Sequence, residues 1–301
     1  MDLTKIKVGV LGGGISKERE ISLDSANQAM LSLKRSNIDA VLIDIKSCDE
    51  RGVRALLKES EIDLAFIALH GEFGEDGGVQ IILEQMNIAY TGSPPAASRL
   101  AMDKVAAKNI FLKNKIPTPL FTVHTNCQGY LNDVEFPVVV KPCSLGSSLG
   151  ISIANDADSL KCGLIEALKM QNKVIVESYI QGRELTVGIL EDSPLGVVEI
   201  IPKGGFYDFT NKYIDEKTEF IAPAKLDEET KQKIKSIALN AHVALGCGNF
   251  SRVDIRLSHD KIPYVLEVNS IPGLTAHSLL PLSAKCCNID FDQLIIKMTQ
   301  I

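Results

Sequence analysis

No run of apolar residues in this 301-residue chain approaches the ~20 that a membrane span requires, so no membrane association is expected. There is no basic excess either. Lys and Arg number 32 against 38 Asp and Glu, giving a net charge of −6 and a pI near 5.5. That balance argues against a nucleic-acid partner, and an anionic ligand has to be held by local lysines and backbone N–H groups. A cysteine framework is also missing. The seven cysteines are odd in number, Cys286 and Cys287 are adjacent, and no CxxC occurs. Reduced thiols in a cytoplasmic protein are the simplest expectation. No signal-peptide apolar region follows the acid-bearing segment 1–10, and no repeat, low-complexity tract or basic arm is present. Finally, no G-x-x-x-x-G-K-[ST] occurs, which excludes a P-loop NTPase.

What the chain does contain is 45% hydrophobic and 23% charged residues, the balance of a globular protein. At this length two or three packed units are expected. Strand-like runs at 7–11, 40–45 and 64–69 alternate with helix-like segments through Leu33 and over 51–58. This alternation predicts an open α/β unit with a mostly parallel sheet over residues 1–93, ending at the turn-rich Thr91-Gly92-Ser93-Pro94-Pro95. A second unit, 94–180, opens with a helix whose apolar stripe is Met102, Val105, Ala106 and Ile110. It continues through a strand ending at Lys141, a Ser/Gly loop over 144–150, a helix over 158–170 and a strand over 174–177. A third unit, 181–301, contains a strand over 184–190 and a helix with Ile234, Ile237, Ala238 and Ala241 on one face, stopped at Gly246. It closes with strands over 252–257 and 264–269. Residues 203–218 are polar and aperiodic, the pattern of a lid or binding loop.

The last two strands carry the densest chemistry. Arg252, Asp254 and Arg256 alternate with Val253, Ile255 and Leu257, so the polar three share a face. Glu267 and Asn269 share a face opposite Leu266 and Val268. A hairpin turning symmetrically at Asp260-Lys261 sets Asp254 opposite Glu267 and Arg252 opposite Asn269. Opposed carboxylates repel unless a cation lies between them, and an all-oxygen set suits Mg²⁺ beside phosphates rather than zinc. The same alternation also fits a solvated outer sheet face. For phosphate, the Ser/Gly loop after Lys141 offers backbone N–H groups. Lys104, on the helix face opposite Met102 and Val105, is expected to reach out of the core. Gly12-Gly13-Gly14 follows the first strand like a dinucleotide loop, but Lys17 stands where that fingerprint needs its third glycine.

Taken in order, Leu11-Gly12-Gly13-Gly14, Glu18-Arg19-Glu20-Ile21-Ser22, Leu69-His70-Gly71, Gly74-Glu75-Asp76-Gly77 and Tyr90-Thr91-Gly92-Ser93 resemble motifs of the D-alanine–D-alanine ligase family. Met102-Asp103-Lys104, Val140-Lys141-Pro142, Gly146-Ser147-Ser148, Phe206-Tyr207-Asp208, Lys212-Tyr213, Arg252-Val253-Asp254 and Glu267-Val268-Asn269 continue the series, followed by Pro272-Gly273. The resemblance spans residues 6 to about 282. It implies an ATP-grasp fold, α/β and α+β, with an N-terminal open parallel-sheet domain. It implies ATP-dependent joining of two D-alanines through a D-alanyl phosphate, for peptidoglycan precursor synthesis, by a cytoplasmic homodimer.

By the same resemblance, Lys104, Lys141 and Lys212 meet ATP, and Glu177 and Glu184 lie at its adenine and ribose. Asp254, Glu267 and Asn269 hold two Mg²⁺ ions, with Mn²⁺ as a substitute. Glu18 holds the first ammonium with His70 nearby, and Ser278 the second carboxylate. Arg252 and the Gly273 N–H face the oxyanion, and Glu18, Ser147 and Tyr213 form a trio closing the lid. The cysteines, Cys143 included, are expected to be packing residues, because this chemistry needs no side-chain nucleophile. Three other readings stay open. They are a D-alanine–D-lactate ligase, against which Tyr213 argues, a non-catalytic nucleotide-binding regulator, and a nicotinamide-binding oxidoreductase resting on the triple glycine.

Overall fold

A computed structural model describes residues 2–127, 134–146, 149–202, 218–275 and 278–300. Three sheets order the described residues. The first is built on β1 (Lys7–Gly13), in which all but the first residue are buried. A strand covered on both faces belongs in a parallel sheet flanked by helices. β1 pairs in parallel with β2 (Asp39–Ile45) and β3 (Leu64–Ile67), and β4 (Ala89–Tyr90) joins β3, in the order β2-β1-β3-β4. α1 (Arg19–Arg35), α2 (Glu50–Ser60) and α3 (Gly78–Gln85) are the connecting helices. The triple glycine has a packing reason. A Cβ on Gly12 would stand 2.5 Å from that of Ala26 on α1, and Gly13 and Gly14 turn the chain at φ +86° and +94°. Close approach and a left-handed turn both need glycine.

The second sheet comprises β5 (Phe121–His124), β6 (Val138–Pro142), β7 (Ser152–Ala154) and β8 (Val174–Ser178), antiparallel in the order β5-β8-β6-β7. α6 (Ala157–Met170) lays Leu160, Leu164 and Ala167 over it, against Val138, Val140, Val174 and Val176. Asp156 and Ser159 form a capping box that starts α6.

The third sheet contains β9 (Gly182–Leu190), β10 (Ser193–Ile201), β11 (Glu219–Ile221), β12 (Phe250–Ser258) and β13 (Pro263–Asn269), antiparallel in the order β11-β10-β9-β12-β13. α7 (Glu228–Leu245) covers one face with the expected stripe: Ile234, Ala238 and Ala241 are buried and Ile237 is half-buried. Gly246 ends it at φ +69°. These side chains meet Leu185, Val187 and Ile189 of β9 and Val253, Ile255 and Leu257 of β12. Each fully buried Leu, Ile or Val contributes about 1.5–3 kcal/mol, so this interface is a principal source of rigidity under the polar face opposite.

Packing crosses the expected divisions at 93 and 180. α4 (Pro95–Met102) and α5 (Lys104–Lys113), expected in the second unit, place Ala101, Ala107 and Phe111 in the core of the third sheet. α8 (Leu279–Lys285) and α9 (Phe291–Thr299) return to the first unit, where Leu280, Leu294 and Met298 share a core with Val8, Val10 and Leu33. The helix expected as one piece is also two. Asp103 breaks it, and its carboxylate accepts N–H bonds from Val105 (2.9 Å) and Ala106 (3.0 Å) at the start of α5. The buried face of α5 is consequently Lys104, Ala107, Lys108 and Phe111. Met102, Val105, Ala106 and Ile110 are only half-buried.

Candidate active site

Strand register builds the centre of the site. Asp254 pairs with Glu267 and Arg252 with Asn269, as the hairpin symmetry predicts, and Asp254 meets Thr186 on its other side. Below them a bulge shifts the ladder, so that Ile255 pairs with Val265. Leu266 is the extra residue. It was expected opposite Glu267; instead both line the same cleft, while Val265 and Val268 enter the core. The polar face is not a solvated surface. Asp254 is buried, accepting from Arg252 Nε (2.9 Å) and Nη2 (2.8 Å), Thr186 Oγ1 (2.6 Å) and Asn269 Nδ2 (3.0 Å). A bidentate guanidinium fixes both partners in one plane. Glu267 Oε2 lies 3.3 Å from Lys104 Nζ.

That contact corrects the reading of Lys104 as a lysine reaching away from the core. It is buried beneath the Ser/Gly loop, where its Nζ donates to the Leu145 carbonyl (2.9 Å) and its backbone N–H to that of Cys143 (3.0 Å). Cys143 is itself buried, and burial pushes its thiol up to about 11, which fits a packing role.

Between the second and third sheets runs a cleft lined by Val139, Lys141, Tyr179, Glu184 and Leu266, with Glu177 at its wall. Lys141 Nζ donates to Glu177 Oε2 at 2.8 Å, and Lys108 Nζ stands 3.2 Å from the other oxygen. Burial opposes all three charges. Even so, Glu177 holds Lys141 above the usual lysine value, and the two lysines hold Glu177 below the usual carboxylate range. At Lys108 burial wins and pushes the ammonium down to about 8. Glu184 accepts from Arg256 (3.1 Å), whose guanidinium also reaches the Ile180 carbonyl (3.1 Å) and lies over the Tyr179 ring.

A second cleft, about 410 Å³, opens on the other side of Glu267. Glu18, His70, Arg252, Glu267, Asn269, Gly273 and Ser278 all line it. These residues come from four stretches of chain. Glu18 sits at the start of α1, beside the loop after β6: a Cβ on Gly146 would stand 3.2 Å from its carboxylate. Ser16 ties Glu18 to His70, accepting from the Glu18 N–H (3.1 Å) and donating to the His70 carbonyl (2.9 Å). His70 is buried, with Nδ1 3.5 Å from Glu75 and Nε2 3.1 Å from Ser25 Oγ. The Ser25 hydroxyl also accepts the Leu274 N–H (3.2 Å), so one buried oxygen joins His70 to the loop bearing Gly273. A Cβ on Gly273 would stand 2.9 Å from Ser278 Oγ, which itself accepts the Thr275 N–H at 2.9 Å.

The expected residues thus fall in two clefts sharing Glu267, with Lys104 beneath it. Ser147, Lys212, Tyr213 and all but the last residue of the segment 203–218, expected as a lid, lie outside the described residues. Among those described, no group of three or more His, Cys, Asp and Glu is placed to hold a metal ion. The candidate set is two carboxylates and an amide. Ser25, Glu75, Lys108 and Thr186 were not singled out from the sequence. Lys108 left one trace there, a second lysine one turn after Lys104 among apolar residues.

Comparison with known proteins fits this arrangement. The family described as "D-ala D-ala ligase C-terminus" matches residues 117–300, and "D-ala D-ala ligase N-terminus" matches 48–93. A D-alanine–D-alanine ligase of Trichlorobacter lovleyi is 43% identical over 98% of this chain and 94% of its own. One of Geotalea uraniireducens is 43% identical with the same coverage. Among solved structures, the ligase of Bacillus anthracis superposes with a TM-score of 0.87 at 35% identity, covering 97% of this chain and 96% of its own. A crystal structure of the Bacillus anthracis ligase complexed with ATP gives 0.84 at 32%, covering 98% and 96%. The chain belongs to the D-alanine–D-alanine ligase family and is an enzyme of the ATP-grasp fold.

Proposed function

We propose that the enzyme joins two molecules of D-alanine into D-alanyl-D-alanine at the expense of ATP, as a step in building peptidoglycan precursors. The observation that carries this reading is the shared wall. Glu267 lines both the lysine-bearing cleft and the cleft of Glu18, His70, Gly273 and Ser278. A phosphoryl donor in the first and an amino acid in the second would meet at the polar face of β12 and β13.

A carboxylate is a poor electrophile toward an amine. In this reading a carboxylate oxygen of the first D-alanine attacks the γ-phosphorus of ATP, giving D-alanyl phosphate and ADP. Lys104, Lys141 and Lys212 offset phosphate charge. Glu177 and Glu184 take the adenine and ribose end. Asp254, Glu267 and Asn269 fit Mg²⁺ by their oxygen chemistry and shared strand face; when bound, the metal would screen the transferring phosphoryl group.

Glu18 accepts the first ammonium, with His70 behind it. The amine of the second D-alanine, its carboxylate held at Ser278, then attacks the acyl carbon. Arg252 and the Gly273 N–H donate to the oxyanion, and phosphate leaves. Arg252 is suited to this because both oxygens of Asp254 already fix its plane. Ser147 and Tyr213 would close the cleft with the 203–218 lid, protecting the acyl phosphate from water. As part of the same reading the enzyme is a cytoplasmic homodimer, which cell fractionation and sedimentation check.

The VanG D-Ala:D-Ser ligase of Enterococcus faecalis is also similar, with a TM-score of 0.84 at 28% identity over 97% of this chain and 98% of its own. The test is ADP release with D-alanine, L-alanine, D-serine and D-lactate, offered singly and in pairs with products separated. D-Alanine alone is expected to support full turnover. Turnover only when D-serine or D-lactate is added would reassign the second substrate.

A further inference from the structure

Among the described residues Lys108 is one of the largest side chains to be wholly enclosed, an ammonium with no solvent exposure that lines neither cleft. Among the described residues its Nζ has two polar neighbours. It donates to Thr118 Oγ1 at 2.6 Å and lies 3.2 Å from Glu177 Oε1. Thr118 is locked in turn, donating to the Val265 carbonyl at 2.8 Å, while the Val265 N–H reaches the Pro117 carbonyl at 2.8 Å. Lys108 is therefore fixed between α5, the 117–118 turn and β13. The Phe121 ring closes the space, 5.8 Å from Nζ.

Glu177 has two lysines and they are not equivalent. Lys141 lines the cleft on β6; Lys108 is sealed behind it. One carboxylate between two ammonium groups leaves this buried trio with a net positive charge. A carboxylate paired with a single lysine needs only one partner, so the second cation requires a separate reason. A buried charge stripped of its partner is strongly destabilising, whereas one that keeps a partner is not. A ligand phosphate drawing Lys141 away would strand Glu177 if Lys141 were its sole cation. With Lys108 in place the carboxylate stays neutralised whichever way Lys141 points.

We propose that Lys108 is a positioning residue: it retains Glu177 so that Lys141 can be given up to the nucleotide phosphates. The proposal rests on the reading of Lys141 as a phosphate contact. Lys108 acts from outside the cleft, first through the shared carboxylate and also by like-charge repulsion of Lys141. It selectively strengthens binding of phosphorylated nucleotides, because adenosine makes no demand on Lys141.

The test compares ATP and adenosine binding, by calorimetry and by competition with a fluorescent nucleotide, in the full-length protein. Lys108→Met keeps most of the aliphatic stem, ends one atom short of the Nζ position and removes the charge. It should weaken ATP by about tenfold or more while leaving adenosine within about twofold. Lys108→Met with Glu177→Gln removes the charge that holds Lys141, and should restore most of the ATP-to-adenosine ratio. Should Lys108→Met not fold, Thr118→Val loosens Lys108 without deleting it, and a smaller fall in the same ratio is expected. Equal weakening of both ligands, or an unchanged ratio, overturns the proposal, since a loosened site alone would do the first. Lys141→Met separates the two levels. If it weakens ATP while Lys108→Met leaves the ratio intact, the role of Lys108 is wrong and the phosphate contact stands. If Lys141→Met leaves ATP binding unaltered, both fail.

Discussion

Asp254 stands directly opposite Glu267 across the β12–β13 ladder, and each of these neighbouring carboxylates is matched with a cation from a different direction. Arg252 grips Asp254 along the strand, and Lys104 approaches Glu267 from α5. Repulsion that would otherwise open the hairpin is thereby converted into orientation of two basic groups at the junction of the clefts. Asp254→Ala is expected to lower kcat by about a hundredfold or more, the cost of losing an oriented charge-stabilising group. Its thermal midpoint should also fall, since Arg252, with a side chain only 13% exposed, loses the carboxylate it grips. Val253 and Ile255 keep the strand in the core, so the fold should survive. Steady-state kinetics across a Mg²⁺ titration check this, and wild-type turnover at limiting Mg²⁺ would contradict it.

Ser25 offers a second test. Its hydroxyl serves both the Leu274 N–H and His70 Nε2 in a fully buried position. Ser25→Ala leaves both groups without that partner, at a cost of about 1–3 kcal/mol. It should also release the Gly273-bearing loop. A drop in denaturation midpoint is expected together with a fall in kcat, while KM for ATP stays near wild type. Lost stability with unchanged kcat would show that the loop is held by other contacts.

Acid stability should report on Glu177. Burial opposes its ionisation, yet Lys108 and Lys141 hold its carboxyl below the unfolded value of 4.5. Below 4.5 the unfolded chain therefore takes up a proton before the folded protein does. Stability from this group is present above 4.5 and is lost as pH falls toward the folded value. Glu177→Gln should unfold with a shallower dependence on pH from 4.5 downward, whatever its stability at neutrality. Denaturant melts at half-unit steps measure the slope, and parallel slopes would mean that Glu177 carries no such linkage.

The smallest change is at Gly273. An added methyl would stand 2.9 Å from Ser278 Oγ and displace it from the Thr275 N–H. Gly273→Ala keeps its N–H but crowds Ser278. It should raise KM for the second amino acid and lower kcat about tenfold or more, as misplacing an oriented donor does. Affinity for ATP, whose proposed cleft is on the other side of Glu267, should be unaffected. Calorimetry with ATP and initial rates against D-alanine separate the two effects, and a shift in ATP affinity alone would place Gly273 with the other cleft.

The site's central strands were legible because alternation has a period of two and the turn between them is short: Arg252, Asp254, Glu267 and Asn269 follow from those facts alone. The bulge that moves Leu266 to the cleft was not, since it changes which residue pairs without changing composition. Periodicity also misplaced the buried face of the Lys104 helix. It scored apolar residues across Asp103, where a cap resets the helix, and it assigned lysines to solvent by default. Lys104 and Lys108 are buried because carboxylates from β13 and β8 meet them, contacts far away in sequence. Ser25 is invisible for a similar reason, being one of several small polar residues on α1 until His70 and Leu274 converge on it. The parallel first sheet was readable from its strand–helix alternation. The return of α8 and α9 to that sheet was not, because apolar stripes do not name their partners.

The measurement closest to the chemistry is the fate of the carboxylate oxygen. D-Alanine labelled with ¹⁸O in its carboxylate is incubated with ATP, Mg²⁺ and enzyme, and the dipeptide, ADP and inorganic phosphate are analysed by mass spectrometry. An acyl phosphate carries one carboxylate oxygen in its bridge to phosphorus, and attack by the amine breaks the bond from carbon to that oxygen. The predicted result is one ¹⁸O in each phosphate released, with one ADP and one phosphate formed per D-alanyl-D-alanine. Dipeptide formed with unlabelled phosphate would contradict phosphoryl transfer to the D-alanine carboxylate at the shared wall of the two clefts.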